Sequence, residues 1–288
     1  MEIMELAAQL GQAIKADERI AKMEEARVAY EKDEEIQKLM LEYNAQQIAM
    51  AEEYKKDPVD QQIIEAIDSL LSPKQTLSGK RMMITAGATI EAIDPVRYIS
   101  NHSTGKMGYA IANALAKRGA EVVLVSGKTA LQTPQGVRRV DVCSAEDMYN
   151  AAVVEFEQSD CAVMCAAVAD YTPVEVATNK IKKSDDSFSL ELRKTKDIAF
   201  ELGKVKGNRK IVGFALETNN EQANAEEKLR KKNLDLIVLN SLRDEGAGFG
   251  CDTNKVCFID ALHREELPLL SKSEVAERIA DKIEKLFF

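Results

Sequence analysis

Two kinds of hydrophobic spacing divide the chain. Through residues 1–72 apolar side chains recur at helical intervals, first at Ile20, Met23, Ala26, Val28 and Tyr30, then at Ile36, Leu39, Met40, Tyr43 and Ile48. This stretch has a single glycine, Gly11, and one proline, Pro58. Asp33 and Asp57 are of N-cap type, each opening an acidic or proline-containing first turn. The spacing predicts two or three amphipathic helices, broken near Glu31–Asp33 and Lys56–Pro58. A helical hairpin this small buries little by itself, so it calls for a partner or a second copy to pack on. The plainer alternative is a coiled dimerisation arm or a solvated linker.

After Ser72–Gly79, whose Pro, Ser and Gly read as a linker over 73–79, the pattern changes. Arg81–Thr85, Glu121–Ser126, Cys161–Ala166, Lys210–Ala215 and Leu236–Asn240 are short apolar runs of strand length. Helical stretches separate them at Tyr109–Arg118, Met148–Glu157 and Ala223–Lys232. Lys255–Ile259 is expected as an edge strand and Glu274–Leu286 as a closing helix. Strands alternating with helices imply parallel βαβ units. Residues 80–288 are therefore expected to form an α/β domain, a Rossmann-like doubly wound, mostly parallel sheet, preceded by the small all-α segment. In such folds the site lies at the carboxyl ends of the strands.

Charge sharpens the division. Of 39 Lys/Arg and 48 Asp/Glu in 288 residues, 8 and 17 fall within residues 1–72, so that segment carries the whole net charge of −9. The remainder is neutral, which disfavours nucleic acid, since phosphate neutralisation needs a basic face. The longest uncharged apolar run, Cys161–Ala169, is too short to span a bilayer. Glu2 and Glu5, with no basic residue among the first ten, argue against a secretory signal. Five cysteines without CxxC spacing suit buried thiols in a reducing cytoplasm.

The first strand is followed by a loop of over twenty residues, longer than a structural connection needs. It contains Gly87, Arg97, Asn101 and His102 and ends in Ser103-Thr-Gly-Lys-Met-Gly108. There Ser103, Gly105, Lys106 and Met107 open a helix whose N–H groups favour an anion. Close packing alone is the plainer account of Gly105 and Gly108. A P-loop is excluded because Ser100 stands where its first glycine belongs and Met107 where Ser/Thr belongs. A dinucleotide site needs G-x-G-x-x-G, and only Gly105-x-x-Gly108 is present. No tyrosine is followed four positions later by lysine, which removes most support from the competing reading, an NAD(P)-dependent reductase. The next loop, Ala166-Ala167-Val-Ala-Asp170, leads to Lys180, Lys182 and Lys183. Asp170 suits a metal ion, a ribose or a base donor, or simply caps a turn; the lysines suit a polyphosphate. Phe214 either walls off a base or fills the core. Lys228 and Lys232 repel each other at i, i+4, which favours an anionic ligand between them. The glycine-rich stretch Gly246–Asn254 is of a type that closes over a ligand.

Taken in order, Asp94-Pro-Val-Arg-Tyr-Ile-Ser-Asn-His-Ser-Thr-Gly-Lys-Met-Gly108, Ala166–Tyr171, Lys180–Lys183, Val212–Thr218 and Lys232-Asn233 resemble bacterial phosphopantothenate–cysteine ligase, from about Gly79 to the C-terminus. Ala88 and Ala92 depart from the family pattern in the first loop, and Lys196 stands where proline is common. Residues 16–71 resemble the YlbF/YmcA-like helical domains. The ligase resemblance implies a step of coenzyme A synthesis. 4′-Phosphopantothenate is activated by CTP to an acyl-cytidylate with release of pyrophosphate, and L-cysteine then displaces CMP. It further implies that Asn101 holds the acyl intermediate, that Arg97 aids the second half-reaction and that Lys180 stabilises the nucleotide phosphates. Ala166, Ala167, Asp170, Lys196, Asp197, Ile198, Ala199, Phe214, Lys228 and Lys232 are then expected to bind CTP. Gly87, Asn101, Ser103, Gly105, Lys106 and Met107 are expected to meet phosphopantothenate. Mg²⁺ is expected with the nucleotide, its protein ligands unassigned. No FMN is expected, because residues 1–72 are too short and too helical for a flavodoxin-like domain; a separate decarboxylase and a homodimer are.

Overall fold

Burial along the first strand of the body shows how the sheet is sandwiched. Met82 and Ile84 enter one hydrophobic layer while Met83 enters the opposite one, and all three are fully buried. This arrangement is seen in a computed structural model that describes residue 22 and residues 33–53, 75–182, 188–217, 220–241 and 250–288. The chain divides into two compact units, Met1–Ser72 and Pro73–Phe288.

In the first unit, helix α1 (Glu34–Glu53) is capped by Asp33, whose Oδ1 accepts the Glu35 and Ile36 amides at 3.1 and 3.0 Å. Asp57 and the apolar repeat at residues 23–30 lie outside the described residues.

The second unit runs β1 (Arg81–Ala86), β2 (Ile90–Ala92), β3 (Tyr98–Ser100), α2 (Lys106–Lys117), β4 (Glu121–Ser126), β5 (Val137–Asp141), α3 (Ala145–Glu157) and β6 (Cys161–Met164). It continues with β7 (Tyr171–Pro173), β8 (Leu192–Lys194), α4 (Ile198–Lys204), β9 (Lys210–Glu217), α5 (Glu221–Lys231) and β10 (Leu236–Ser241). Last come β11 (Thr253–Asn254), β12 (Val256–Ile259), β13 (Arg264–Glu266), β14 (Leu270–Ser271) and α6 (Lys272–Glu284). The eight-stranded sheet has the order β13-β12-β10-β9-β6-β1-β4-β5, parallel except at β12 and β13. Helices α2 and α6 cover one face through Ile111, Leu115, Val275 and Ile279. The other face is covered by α3, α4 and α5 through Met148, Phe156, Leu202 and Leu229. The expected doubly wound α/β class is the observed one.

Three local readings are corrected. Val256–Ile259 is not an edge strand: β10 lies on one side and β13 on the other. Val137–Asp141 is an unforeseen strand at the opposite edge, where Arg138 pairs with Glu155 and Arg139 with Asp141. The cysteines are not uniformly buried, since Cys143 is exposed and Cys165 and Cys251 are only partly covered. Within residues 73–79, Leu77 is fully buried and its amide donates to the Arg118 carbonyl at 2.9 Å. Among the described residues no helix is long and apolar enough to cross a membrane.

Arg118 closes α2 onto α6. Its side chain is 6% exposed and meets Glu277, Asp281 and Glu284 at 2.8 Å each. Arg118→Ala strands none of these carboxylates in the interior, because all three keep contact with solvent. The loss is then that of charge-assisted hydrogen bonds, about 2 kcal/mol in a urea unfolding titration.

Candidate functional site

The chain leaves β1 for β4 and β5 on one side, then returns to place β6 on the other, so the strand order reverses between β1 and β6. The two exit loops separate there and are laced together. Ala88 bridges Ala167, the Ala167 amide donates to the Gly87 carbonyl at 2.8 Å, and the Ala169 amide donates to Thr89 Oγ1 at 2.9 Å. Gly87 and Gly105 take positive φ, which side chains adopt only with strain. Gly108 has another reason: a Cβ there would lie 2.6 Å from the Ala86 Cβ, so α2 packs directly on β1.

A cavity of about 510 Å³ opens at this crevice, and every expected nucleotide-binding residue except Lys180 lines it. Ala166 and Ala167 form one wall, Asp170 the rim, Lys196 to Ala199 the approach to α4, and Phe214, Lys228 and Lys232 the side toward α5. Thr85, Val168, Tyr171, Lys194, Thr195, Gly213 and Leu234 also line it, and the sequence reading missed them. Four lysines against two aspartates make the lining cationic. Asp197 caps α4 by accepting the Phe200 amide at 3.1 Å and pairs with Lys232 at 2.9 Å. Lys232 is held there because Asn233, at φ 52°, ends the helix and donates its side-chain amide to the Gly203 carbonyl at 3.0 Å. Lys196 bonds Glu146 at 2.8 Å and lies over the Tyr149 ring, and the Glu146 carboxylate raises its pKa.

A second cavity of about 150 Å³ lies at the start of α2 and shares Ala166, Ala167 and Phe214 with the first. Ser103, Gly105, Lys106 and Met107, the candidates for phosphopantothenate, line it together with Cys165, Asn240, Asn254 and Lys272, which were not foreseen. Burial pushes the Cys165 thiol up to about 12, so it faces the cavity protonated and not as a thiolate nucleophile. Gly87 and Asn101 line neither cavity. Asn101 instead donates its amide to the Ala167 and Val168 carbonyls at 3.2 and 3.1 Å, gripping the partition between them. His102 is exposed and outside both.

Arg97 and Lys180 are also outside both cavities. Arg97 is bound to Asp94, its Nε 2.9 Å from Oδ2, and donates to the Ile181 carbonyl at 2.7 Å. Lys180 and Lys182 flank that carbonyl; Lys180 is exposed. Lys183, Thr218 and residues 246–249 of the glycine-rich stretch lie outside the described residues. Among the described residues no group of three or more His, Cys, Asp or Glu could hold a metal.

Comparison with known proteins gives these features a context. A family model described as DNA/pantothenate metabolism flavoprotein C-terminal domain matches residues 77–287, and one described as control of competence regulator ComK, YlbF/YmcA, matches residues 3–77. A Cysteine/Cysteine sulfinic acid decarboxylase of an unknown prokaryotic organism is 48% identical over 230 residues, 77% of this chain and 64% of that protein. The Coenzyme A biosynthesis bifunctional protein CoaBC of Bacillus subtilis is 48% identical over 212 residues, 73% of this chain and 52% of that protein. The chain thus spans from about half to just under two thirds of these relatives' lengths. The crystal structure of the C-terminal domain of a Coenzyme A biosynthesis bifunctional protein CoaBC has a TM-score of 0.64 and 43% identity, covering 74% of this chain and 98% of that one. The DNA/pantothenate metabolism flavoprotein from Streptococcus pneumoniae has a TM-score of 0.63 and 25% identity, covering 72% and 99%.

Proposed function

We propose, from the premise that the chain belongs to the DNA/pantothenate metabolism flavoprotein C-terminal domain family, that its body joins 4′-phosphopantothenate to L-cysteine at the expense of CTP. A carboxylate oxygen of the acid attacks the α-phosphorus of CTP, pyrophosphate leaves, and an acyl-cytidylate forms. The cysteine amine then attacks the acyl carbon, loses a proton and expels CMP, leaving an amide. The observation that carries this reading is the clustering of the nucleotide candidates around one cationic cavity that shares a wall with a smaller one. Two anionic reactants need adjoining sites, and little covalent work is asked of the protein beyond positioning and charge stabilisation. Lys196, Lys228 and Lys232 take the triphosphate, Phe214 borders the base, and Asp170 would hold a Mg²⁺ ion bound with the nucleotide, which would supply neutralisation of phosphate charge. Asn101, bonded to the Ala167 and Val168 carbonyls, holds the acyl group in this reading.

Lys180 and Arg97 act, in this reading, across a homodimer. The two small hairpins β2–β3 and β7–β8 support it, because they and their flanks expose Val96, Tyr98, Tyr171, Val174, Val176 and Leu192. Decarboxylation is assigned to a separate protein, and the helical first unit to a role outside the ligation. The test is a pyrophosphate-release assay with 4′-phosphopantothenate, Mg²⁺ and each nucleoside triphosphate in turn. CTP is expected to support turnover and cysteine to accelerate it. Absence of pyrophosphate with every nucleotide overturns the reading, and preference for ATP overturns its nucleotide.

A further inference from the structure

The first loop carries a buried carboxyl that lines neither cavity. Glu91, in the middle of β2, is 4% exposed, and its Oε1 accepts the Ala145 amide at 2.8 Å. Ala145 is the first residue of α3, so the carboxyl sits at the positive end of that helix dipole. The adjacent Ile90 amide donates to the Cys143 carbonyl, also at 2.8 Å, and the two bonds pin β2 to the turn that leads into α3. β2 and β3 have three residues each and bury little, Ile90 and Ile99 being half-buried, so polar bonds set the direction of this hairpin. An apolar side chain of the same length would fill the place of Glu91 without the desolvation cost. What the carboxyl adds is a fixed position.

That position is passed along the ladder to Asn101. Glu91 lies opposite Ile99, and Ile90 lies opposite Ser100, the residue before Asn101. Ser100 Oγ donates to the Thr89 carbonyl at 2.7 Å and closes the hairpin at that end. The same first turn of α3 bears Glu146, which holds Lys196 at the wall of the larger cavity. The start of α3 is thus a common reference for Asn101 on one side and a nucleotide lysine on the other.

We infer that Glu91 is a positioning residue for Asn101, aligning the acyl group for the cysteine amine from outside both cavities. This rests on the ligase reading above. Without the anchor the acyl-cytidylate still forms, but the amine attacks it more slowly and water takes a larger share. The water oxygen then bonds the acyl carbon, CMP leaves with the electron pair of the broken bond, a proton is released, and the acid is regenerated.

The test follows pyrophosphate and amide together, in single turnovers of the full chain with 4′-phosphopantothenate, CTP and Mg²⁺, with and without cysteine. Methionine at position 91 fills the site and accepts no amide proton, whereas glutamine still accepts one. Glu91→Met is expected to slow the cysteine-dependent step by about 10–100-fold, the scale of a displacement of up to about 1 Å, and to change cysteine-independent pyrophosphate release by less than about threefold. Pyrophosphate should then outrun amide, which a general loss of folded protein would not produce. Glu91→Gln should restore the coupling. Combined with Asn101→Ala, Glu91→Met should add less than about twofold to the loss from Asn101→Ala alone, because both act on one contact. Equal slowing of both steps would mark Glu91 as structural and overturn the inference, as would additive losses or a Glu91→Gln chain as impaired as Glu91→Met. Should Glu91→Met fail to fold, Ser100→Ala decides, since Ser100 is exposed and its bond to Thr89 is the last link to Asn101. There, slowed amide formation with pyrophosphate release intact supports the inference, and any other pattern overturns it. If the unaltered chain releases no pyrophosphate with any nucleotide, the ligase reading itself fails, and the assay separates that outcome from the others.

Discussion

Lys180→Gln is expected to lower pyrophosphate release by about 10²–10³-fold, the usual cost of losing a preorganised group at developing charge. Asn101→Asp should spare that step and stop the reaction before the amide forms. The difference follows from where the two side chains lie. Lys180 is an exposed cation whose neighbour Ile181 is anchored through Arg97, so it can offer charge to phosphates without shaping the cavity walls. Asn101 shapes a wall: its amide donates to the Ala167 and Val168 carbonyls. A carboxylate in its place has no hydrogen to give and repels both oxygens, which loosens the partition where the acyl group must wait. The rest of the larger cavity is untouched, so the nucleotide still binds and the acyl-nucleotide accumulates. Quenched-flow chromatography with labelled acid resolves the two steps. Both variants halting at the same step would contradict the division of labour.

The same variant tests whether Lys180 serves its own subunit. Lys180→Gln and Lys232→Ala chains, each inactive, would be mixed and allowed to exchange. Random pairing in a two-fold dimer would restore about a quarter of the sites if Lys180 acts on the partner's cavity. No recovery would mean that each cavity uses its own Lys180.

How much of this was legible in the sequence depends on whether the signal was local. Strands such as Glu121–Ser126 are uninterrupted apolar runs because both sheet faces are covered, and the order of runs implied the parallel sheet. β5, with the sequence VRRVD, was missed because an edge strand needs little burial, and its arginines are satisfied by Glu155 and Asp141. β2, β3, β7 and β8 have three residues each, too few for a period to show. The large cavity was legible because it is built from strand exits, and the rule that ligands bind there needs only the strands. Asn240, near the end of β10, was within reach of the same rule and was overlooked. Lys272 carried no such signal. Nothing around it in the sequence says that the start of the last helix folds back against the start of the second.

Asp94 gives the remaining large effect. Its side chain is fully enclosed, with Oδ1 accepting the Val96 and Arg97 amides at 2.8 Å each and Oδ2 accepting the Ile181 amide at 3.2 Å and Arg97 Nε at 2.9 Å. The Ala177 amide donates to the Ile93 carbonyl at 3.0 Å, so the segment bearing Lys180 is clipped to the first loop at two places. The Arg97 guanidinium holds the Asp94 carboxyl well below the usual carboxylate range. A carboxylate depressed in this way contributes its stability above the unfolded value near 4 and loses it only as pH falls through the lower folded value. Asp94 therefore stays ionised from pH 6 to 9, and the activity profile in that window should owe nothing to it. Asp94→Asn removes the charge that aims Arg97 and weakens the clip to Ile181. A displacement of about 1 Å at Lys180 is enough to cost about 10²-fold in kcat. The nucleotide KM should hold, because neither Asp94 nor Arg97 lines the larger cavity. Asp94→Glu should not rescue, since the enclosed site has no room for another methylene. A loss seen wholly in nucleotide KM, or a new ionisation in the pH profile of the unaltered chain assigned to Asp94, would contradict this account of how Arg97 and Lys180 are positioned.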